Sequence, residues 1–253
     1  MITKAFIQRE HHTLGHEEKV VADVLSSRDI LIEYFNKKKL FRRRLDIRKD
    51  TLVVGTVEVI KSALKQLKIA FPAIDTYPIS LRPFLYRKIS EKTLGDVIEM
   101  ICNCDLPEMF IKPKNNLKGF TGRIFSTTDD IQFFNNISRR TIVYCSEVVE
   151  WMSESRVYVV DGDVKDVQLY EDTDLTEMLD LNIVNDAITA YLSSKDHIKS
   201  FGIDFGVLRS KGQYKTALIE MNEGFALGCY DGCNPEVYTN MLLSRWEELC
   251  QNS

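Results

Sequence analysis

The chain has 253 residues, 44% of them hydrophobic and 28% charged, with a formal net charge of −4 at pH 7. That length buries a full core as one large domain or two modest ones, and the composition is that of an ordinary globular protein. The charge argues against indiscriminate nucleic-acid binding, no apolar run approaches membrane-spanning length, and the six cysteines form no disulfide framework, so a cytoplasmic protein with reduced thiols is expected.

Residues 4–9, KAFIQR, predict a short first strand. Over 17–35, Val20, Val21, Val24, Leu25, Ile30, Leu31 and Phe35 recur at helical intervals, with a break near 26–29. His11, His12 and His16 sit in a polar stretch without metal-ligand spacing and read as surface histidines. Residues 37–49 carry eight basic side chains. There Phe41, Arg43, Leu45 and Ile47 alternate with Arg42, Arg44, Asp46 and Arg48, which predicts a strand with one basic face. Such a strand is either an edge protected by charge or a contact for nucleic acid or a phosphorylated substrate. Residues 51–55, TLVVG, form the next strand, and Val57, Ile60, Leu64 and Leu67 mark a helix over 56–67. These elements predict a small α/β layer over residues 1–78, ended by a connector that Pro72, Pro78 and Pro83 punctuate.

Beyond the connector, 93–102 reads as a helix and 109–113, MFIKP, as a strand that carries Lys112 near its end. Lys114, Lys118, Gly119 and Gly122 follow in a basic loop, and 124–125 resume an apolar strand. A lysine beside such a loop suits a phosphate grip, because ammonium and backbone N–H groups both favour an anion. No Walker A sequence is present, which sets aside a P-loop NTPase. Residues 141–151 and 156–161 are β-rich, with a turn expected at 152–155, MSES. Arg156, within an apolar strand, needs a carboxylate or phosphate partner if buried. Residues 166–180 read as an acidic solvated loop, 181–192 as a helix and 237–250 as a closing helix. Cys229 and Cys233 have no further cysteine or histidine to complete a zinc site.

The most informative stretch is 201–222, two strands around a polar turn at Gly212. A turn roughly symmetric about Gly212 sets Asp204 opposite Glu220, while strand alternation puts Glu220 and Asn222 on one face. Two carboxylates about 4 Å apart repel by about 4 kcal/mol at an effective dielectric near 20. A cation or an arginine must offset them, and hard oxygen donors with room for phosphate and water suit Mg²⁺.

In this order, FIKP with its lysine- and glycine-containing loop, SEVVEW with SESRVYVVDG, then IDFGVL and ALIEMNEGFALG, resemble the ATP-grasp superfamily. The likeness is to its compact arginine/lysine-rich clade of bacterial and phage proteins, distantly similar to the eukaryotic assembly chaperone of a translation initiation factor. It spans 81–249, and more loosely the N-terminal segment. The resemblance implies an α/β (α+β) ATP-grasp fold, with a pre-ATP-grasp domain over 1–78 and a two-lobed ATP-grasp domain over 79–253 that holds the nucleotide between its lobes. ATP and Mg²⁺ are the implied cofactors. Lys112 would contact the α- and β-phosphates and Lys118 would cover them. Arg87 looks like the first basic residue of the site, with Lys88 as an adjacent competitor. Residues 147–149, among them Glu147 and Val149, would line the adenine hinge. Arg156 would approach the γ-phosphate or an acyl phosphate, and Asp204, Glu220 and Asn222 would hold Mg²⁺. The implied activity is carboxylate–amine ligation through an acyl phosphate, on small-molecule or peptide acids and amines. One alternative is an ATP-binding assembly factor that holds a protein partner without ligation. Another is a nucleic-acid-binding or nucleic-acid-modifying protein, resting on 37–49. The Asp204-Phe205-Gly206 triplet lies in a predicted strand without an HRD loop, which argues against a protein kinase.

Overall fold

The structure is a computed structural model that describes residues 2–73, 75–103, 108–114, 120–170, 179–210, 212–230 and 232–251. The chain first builds β1 (Lys4–Gln8), α1 (His16–Ser27), β2 (Leu31–Phe35), α2 (Lys37–Phe41), β3 (Thr51–Val54) and α3 (Val57–Gln66). The three strands are parallel in the order β2-β1-β3. Ala5, Phe6 and Ile7 on β1 and all four residues of β3 are buried, the continuous burial that a parallel sheet covered on both faces requires. On α3 the buried stripe is Val59, Ile60, Ala63 and Leu64, which turns it onto this sheet.

Two expectations for this region are corrected. Residues 31–35 are strand β2 rather than the end of a broken helix. The chain leaves α1 through Asp29 at φ 55°, and the β-branched and aromatic residues of LIEYF then pair with β1. The basic stretch forms no strand: 37–41 are a short helix, α2, which the Asn36 side chain caps by accepting from the Lys39 amide at 3.0 Å, and 42–50 are turns and irregular chain. Several of its charges are neutralised locally: Lys37 by Glu10 and Glu58, Lys39 by Glu33, and Arg48 by Asp46.

A second, antiparallel sheet consists of β4 (Ile89–Thr93), β5 (Met109–Pro113), β6 (Arg123–Phe125) and β7 (Ile142–Glu147) in the order β4-β7-β5-β6. Helix α4 (Leu94–Cys102) starts from a capping box between Thr93 and Asp96 and buries Leu94, Val97 and Ile101 against Ile111, Phe125 and Val143. The third sheet consists of β8 (Glu150–Val160), β9 (Asp163–Leu169), β10 (Phe201–Ser210) and β11 (Gln213–Glu223) in the order β11-β10-β8-β9, all antiparallel. Val157, Val159, Ile203 and Phe205 share a core there with Val184, Ala187 and Ile188 of α5 (Leu181–Leu192). Closing helix α6 (Pro235–Gln251) places Tyr238, Met241 and Trp246 in the core of the first sheet, which also takes in Tyr158 and Val160 of β8.

The expected turn at 152–155 is instead the middle of β8, since Ser153 and Ser155 pair with Val207 and Phe205 of β10. Cross-strand pairing outweighs the local polar composition. The chain turns at residues 148–149, which carry it from the second sheet to the third. Part of the expected acidic loop is β9, and residues 171–178 lie outside the described residues. Among the described residues no helix is long and apolar enough to cross a membrane.

Gly206 lets β8 approach β10 closely: a Cβ there would lie 2.7 Å from the Ser153 carbonyl oxygen and 2.6 Å from the Trp151 ring. Because the backbone oxygen cannot swing aside, Gly206→Ala is expected to destabilise the fold by about 1–3 kcal/mol, the usual range for overpacking. Urea unfolding checks this, and an unchanged midpoint would contradict it.

Candidate active site

The site is assembled on one end of the third sheet. Strands β8 and β10 pair so that Arg156 stands across from Asp204. The guanidinium forks onto the carboxylate, Nε to Oδ1 at 2.9 Å and Nη2 to Oδ2 at 2.9 Å, with Arg156 only 4% and Asp204 1% exposed. The Tyr170 hydroxyl and the Asn222 amide nitrogen each donate to Oδ2 at 3.0 Å. Tyr170 and Tyr230 lie over the guanidinium, their ring centres 5.1 and 4.9 Å away. Burial raises the Asp204 carboxyl; Arg156 pulls it back only in part, and the charge of Glu220 adds to the rise.

Asp204 is also aligned with Glu220 of β11. The hairpin closes with Ser210 opposite Gln213, a register that by itself would not bring these two residues together. A shift between Asp204 and Phe205 inserts Ile219 as an extra residue on β11 and restores the alignment. Such a bulge leaves backbone groups unpaired, and Arg87 supplies partners. Its Nη2 donates to the Ile219 carbonyl at 2.8 Å and its Nη1 to the Leu218 carbonyl at 2.5 Å, while Nε donates to Ser146 Oγ on β7 at 3.1 Å. Arg87 thus ties the second sheet to the bulge, stacked 5.2 Å over Trp151. Burial lowers its pKa.

From the second sheet, Lys112 on β5 reaches across and hydrogen-bonds Glu220 Oε2, its ammonium 4.7 Å over the Tyr77 ring. Burial opposes both charges of this pair. Their mutual attraction nevertheless prevails, holding the Glu220 carboxyl below and the Lys112 ammonium above their ordinary values.

Five of the residues expected from the sequence therefore converge: Lys112, Arg156, Asp204, Glu220 and Asn222. Arg87 is adjacent, but its guanidinium is committed to carbonyls rather than left open for an anion. Glu147 ends β7, where its Oε2 accepts from the Lys88 amide at 2.9 Å, and half-buried Val149 lies in the connection between the sheets. The Lys88 side chain is exposed. Lys118 lies outside the described residues. Tyr77, Tyr170 and Tyr230 were not anticipated. Tyr170 follows the end of β9 and reaches Asp204 only through the β8–β9 register, for which the sequence carries no local signal.

Among the described residues no three His, Cys, Asp or Glu side chains gather as a metal group. The oxygen donors gathered here are two carboxylates and the Asn222 amide, whose nitrogen faces Asp204 and whose oxygen is a further hard donor; Asp204 already accepts from Arg156, Tyr170 and Asn222 and Glu220 from Lys112, so a cation would replace some of these hydrogen bonds. That chemistry fits Mg²⁺ completed by phosphate oxygens and water.

A family profile described as ATP-grasp domain, R-2-K clade family 2, matches residues 84–241, more than half of the chain. The chain belongs to this ATP-grasp family. Similar solved structures include the RimK domain protein ATP-grasp from Sphaerobacter thermophilus DSM 20745, at 10% identity and TM-score 0.58 over 97% of this chain and 98% of that one. D-alanine–D-alanine ligase from Bacillus anthracis follows at 13% identity and TM-score 0.56, over 98% and 97%. The ATP-grasp ligase PsnB complexed with minimal precursor has 12% identity and TM-score 0.54, over 97% and 100%. At these identities the likeness is one of fold, and it identifies the α+β architecture as the ATP-grasp fold. No curated protein matches the chain.

Removing the guanidinium would strand a buried carboxylate. Arg156→Met is expected to cost about 3–5 kcal/mol near neutral pH. In that variant the Asp204 carboxyl titrates still higher in the folded chain than its unfolded value of about 3.9. The folded state then binds more protons than the unfolded one, so stability falls as pH rises through that window. Urea unfolding at pH 5 and pH 8 should find the larger loss at pH 8; equal losses would contradict the assignment.

Proposed function

We propose that the protein is an ATP- and Mg²⁺-dependent carboxylate–amine ligase working through an acyl phosphate, divided at residue 78 into a pre-ATP-grasp domain and the ATP-grasp domain. The observation that carries this reading is the meeting of Lys112, from one sheet of an ATP-grasp fold, with Arg156, Asp204, Glu220 and Asn222 of another. In this reading the nucleotide lies between the two sheets, its adenine along the connection that includes Glu147 and Val149.

Asp204, Glu220 and Asn222 would hold Mg²⁺, which when bound neutralises charge on the transferring phosphoryl group. Lys112 has the reach to exchange Glu220 for the α- and β-phosphates, and Lys118 would add a second ammonium. Arg156 is held in place by Asp204 and the tyrosine rings. Its remaining N–H donors would face charge developing on the γ-phosphoryl group and then on the acyl phosphate. Arg87 keeps the β11 bulge, and hence Glu220, in position. In the second step the amine nitrogen forms the C–N bond, the bond from the acyl carbon to phosphate oxygen breaks, inorganic phosphate leaves, and the amine proton passes to a base or water. Exclusion of water from the cleft protects the acyl phosphate. The substrates are a small-molecule or peptide carboxylate and an amine.

The test is a screen of acids and amines with ATP and Mg²⁺, using ¹⁸O-labelled carboxylates. Expected are ADP formation that depends on both substrates and transfer of ¹⁸O to the released phosphate. Lys112→Ala is expected to lower the rate by about 10²-fold or more, the usual scale for losing one stabiliser of transition-state charge. ADP formation without ¹⁸O transfer would contradict the acyl-phosphate route.

A further inference from the structure

Residues 37–49 carry eight basic side chains and a single acid, Asp46, in a chain whose formal net charge is −4. The fold sorts these bases into two groups. Lys37, Lys39 and Arg48 have carboxylate partners, whereas among the described residues Lys38, Arg42, Arg43 and Arg44 have none. All four of the unpaired bases are exposed.

The packing of α2 on α3 extends this face. Lys37, the first residue of α2, pairs with Glu58 in the first turn of α3 at 3.6 Å. Near the other end, the Leu40 carbonyl accepts from Nε2 of Gln66, the last residue of α3, at 3.0 Å. The two helices therefore run side by side in one direction and end together. Each ends in a left-handed turn, with Arg43 at φ 52° and Lys68 at φ 62° in equivalent positions just past the helix. The end of α3 adds Lys65 and Lys68, both exposed and, among the described residues, without an ion-pair partner. Phe41 stands among these bases and is 47% exposed, the only large apolar side chain exposed in 37–44 and 65–68.

We propose that this face binds single-stranded nucleic acid, its phosphates on Lys38, Arg42, Arg43, Arg44, Lys65 and Lys68 and one base stacked on Phe41. A concentration of unpaired cations on an otherwise acidic chain attracts a polyanion, and the guanidinium fork matches phosphate oxygens. The exposed ring beside those guanidinium groups supplies the stacking platform that single strands use. Helix α2 has five residues, too few to lie along a duplex groove and read it. One ring offers little apolar area to a bilayer, which sets aside a membrane surface. The face belongs to residues 1–78 and shares no residue with the site of Lys112, Arg156 and Glu220, so the inference stands apart from the ligase reading.

The test is fluorescence anisotropy of the full chain with labelled dodecauridylate and dodecathymidylate, beside a duplex of equal length, poly-glutamate and vesicles of phosphatidylcholine with phosphatidylserine. Single strands are expected to bind at low salt, with log K falling against log salt at a slope of about −4 if all six bases meet phosphates. A preference for the uridylate or the thymidylate identifies the sugar, and either agrees with the proposal. Arg42→Gln/Arg43→Gln/Arg44→Gln should weaken binding at least tenfold and bring the slope to about −2. Lys65→Gln/Lys68→Gln, on the other helix end, should also flatten the slope. Phe41→Ala should weaken the single strands about fivefold or more, the scale of one stacked base, while leaving inorganic polyphosphate binding unchanged. All of these side chains are exposed, so urea midpoints of the variants should stay at the wild-type value. No binding of single strands at low salt, or indifference to either charge variant, would overturn the proposal. Equal or tighter binding of the duplex, the poly-glutamate or the vesicles would do the same, as would an equal loss of polyphosphate binding in Phe41→Ala.

Discussion

The arrangement depends on a buried charge pair. Taking Arg156 and Asp204 out of water costs several kcal/mol for each ion, and only a well-formed fork with additional donors offsets that. Both are nearly inaccessible, and the carboxylate receives Tyr170 and Asn222 in addition to the fork. Those partners come from β8, β10, β11 and the end of β9, so the pair forms only when the third sheet is in a single register. A slip of one residue would turn every side chain to the opposite face and leave both ions stranded. The bulge on β11 belongs to the same constraint, since it aligns Glu220 with Asp204, and Arg87 satisfies the carbonyls of Leu218 and Ile219 at that point.

On this base the second sheet adds its own cation. With Lys112 on Glu220 and Arg156 on Asp204, each acid of the site has a basic partner. The site is therefore balanced in charge without a metal. A nucleotide complex would bring both signs at once, phosphate for Lys112 and a divalent cation for Glu220, so the exchange leaves no buried charge alone. The difference in exposure between the pairs agrees with this division of labour: Glu220 keeps 30% of its side chain exposed, whereas Asp204 keeps 2%. The Arg156–Asp204 pair fixes the sheet beneath the proposed metal site, and the Lys112–Glu220 pair is its more open edge toward the cleft.

The hairpin was the most legible part of the chain, because alternation and Gly212 suffice to predict both strands. The alignment of Asp204 with Glu220 follows from a symmetric turn about Gly212, but the molecule reaches it by a tighter turn and a compensating bulge. A bulge depends on three-dimensional packing and leaves no mark in the local pattern. Lys112 at its strand end and the helices over 56–67, 93–102, 181–192 and 237–250 were legible for a related reason, since each has its own periodicity or cap. Residues 31–35, 37–41 and 152–155 were not. Their side chains fit two conformations, and the choice was made by pairing with β1, by the Asn36 cap and by pairing with β10. The tyrosines around Arg156 escaped for the same reason, as aromatic residues in polar stretches carry no sign of the cation they will cover.

The central claim is that the cleft face of the hairpin receives Mg²⁺ and ATP together. Thermal unfolding of the wild type and of Glu220→Gln, each with ATP alone and with ATP and Mg²⁺, addresses it most directly. A nucleotide at a hundred times its dissociation constant stabilises by about 2.7 kcal/mol, which at this chain length raises the midpoint by several degrees. The account predicts a rise in the wild type that requires Mg²⁺ and is lost in Glu220→Gln. A rise of equal size in the variant would remove Glu220 from the metal site, and no rise at millimolar nucleotide would contradict the assignment of this cleft to ATP.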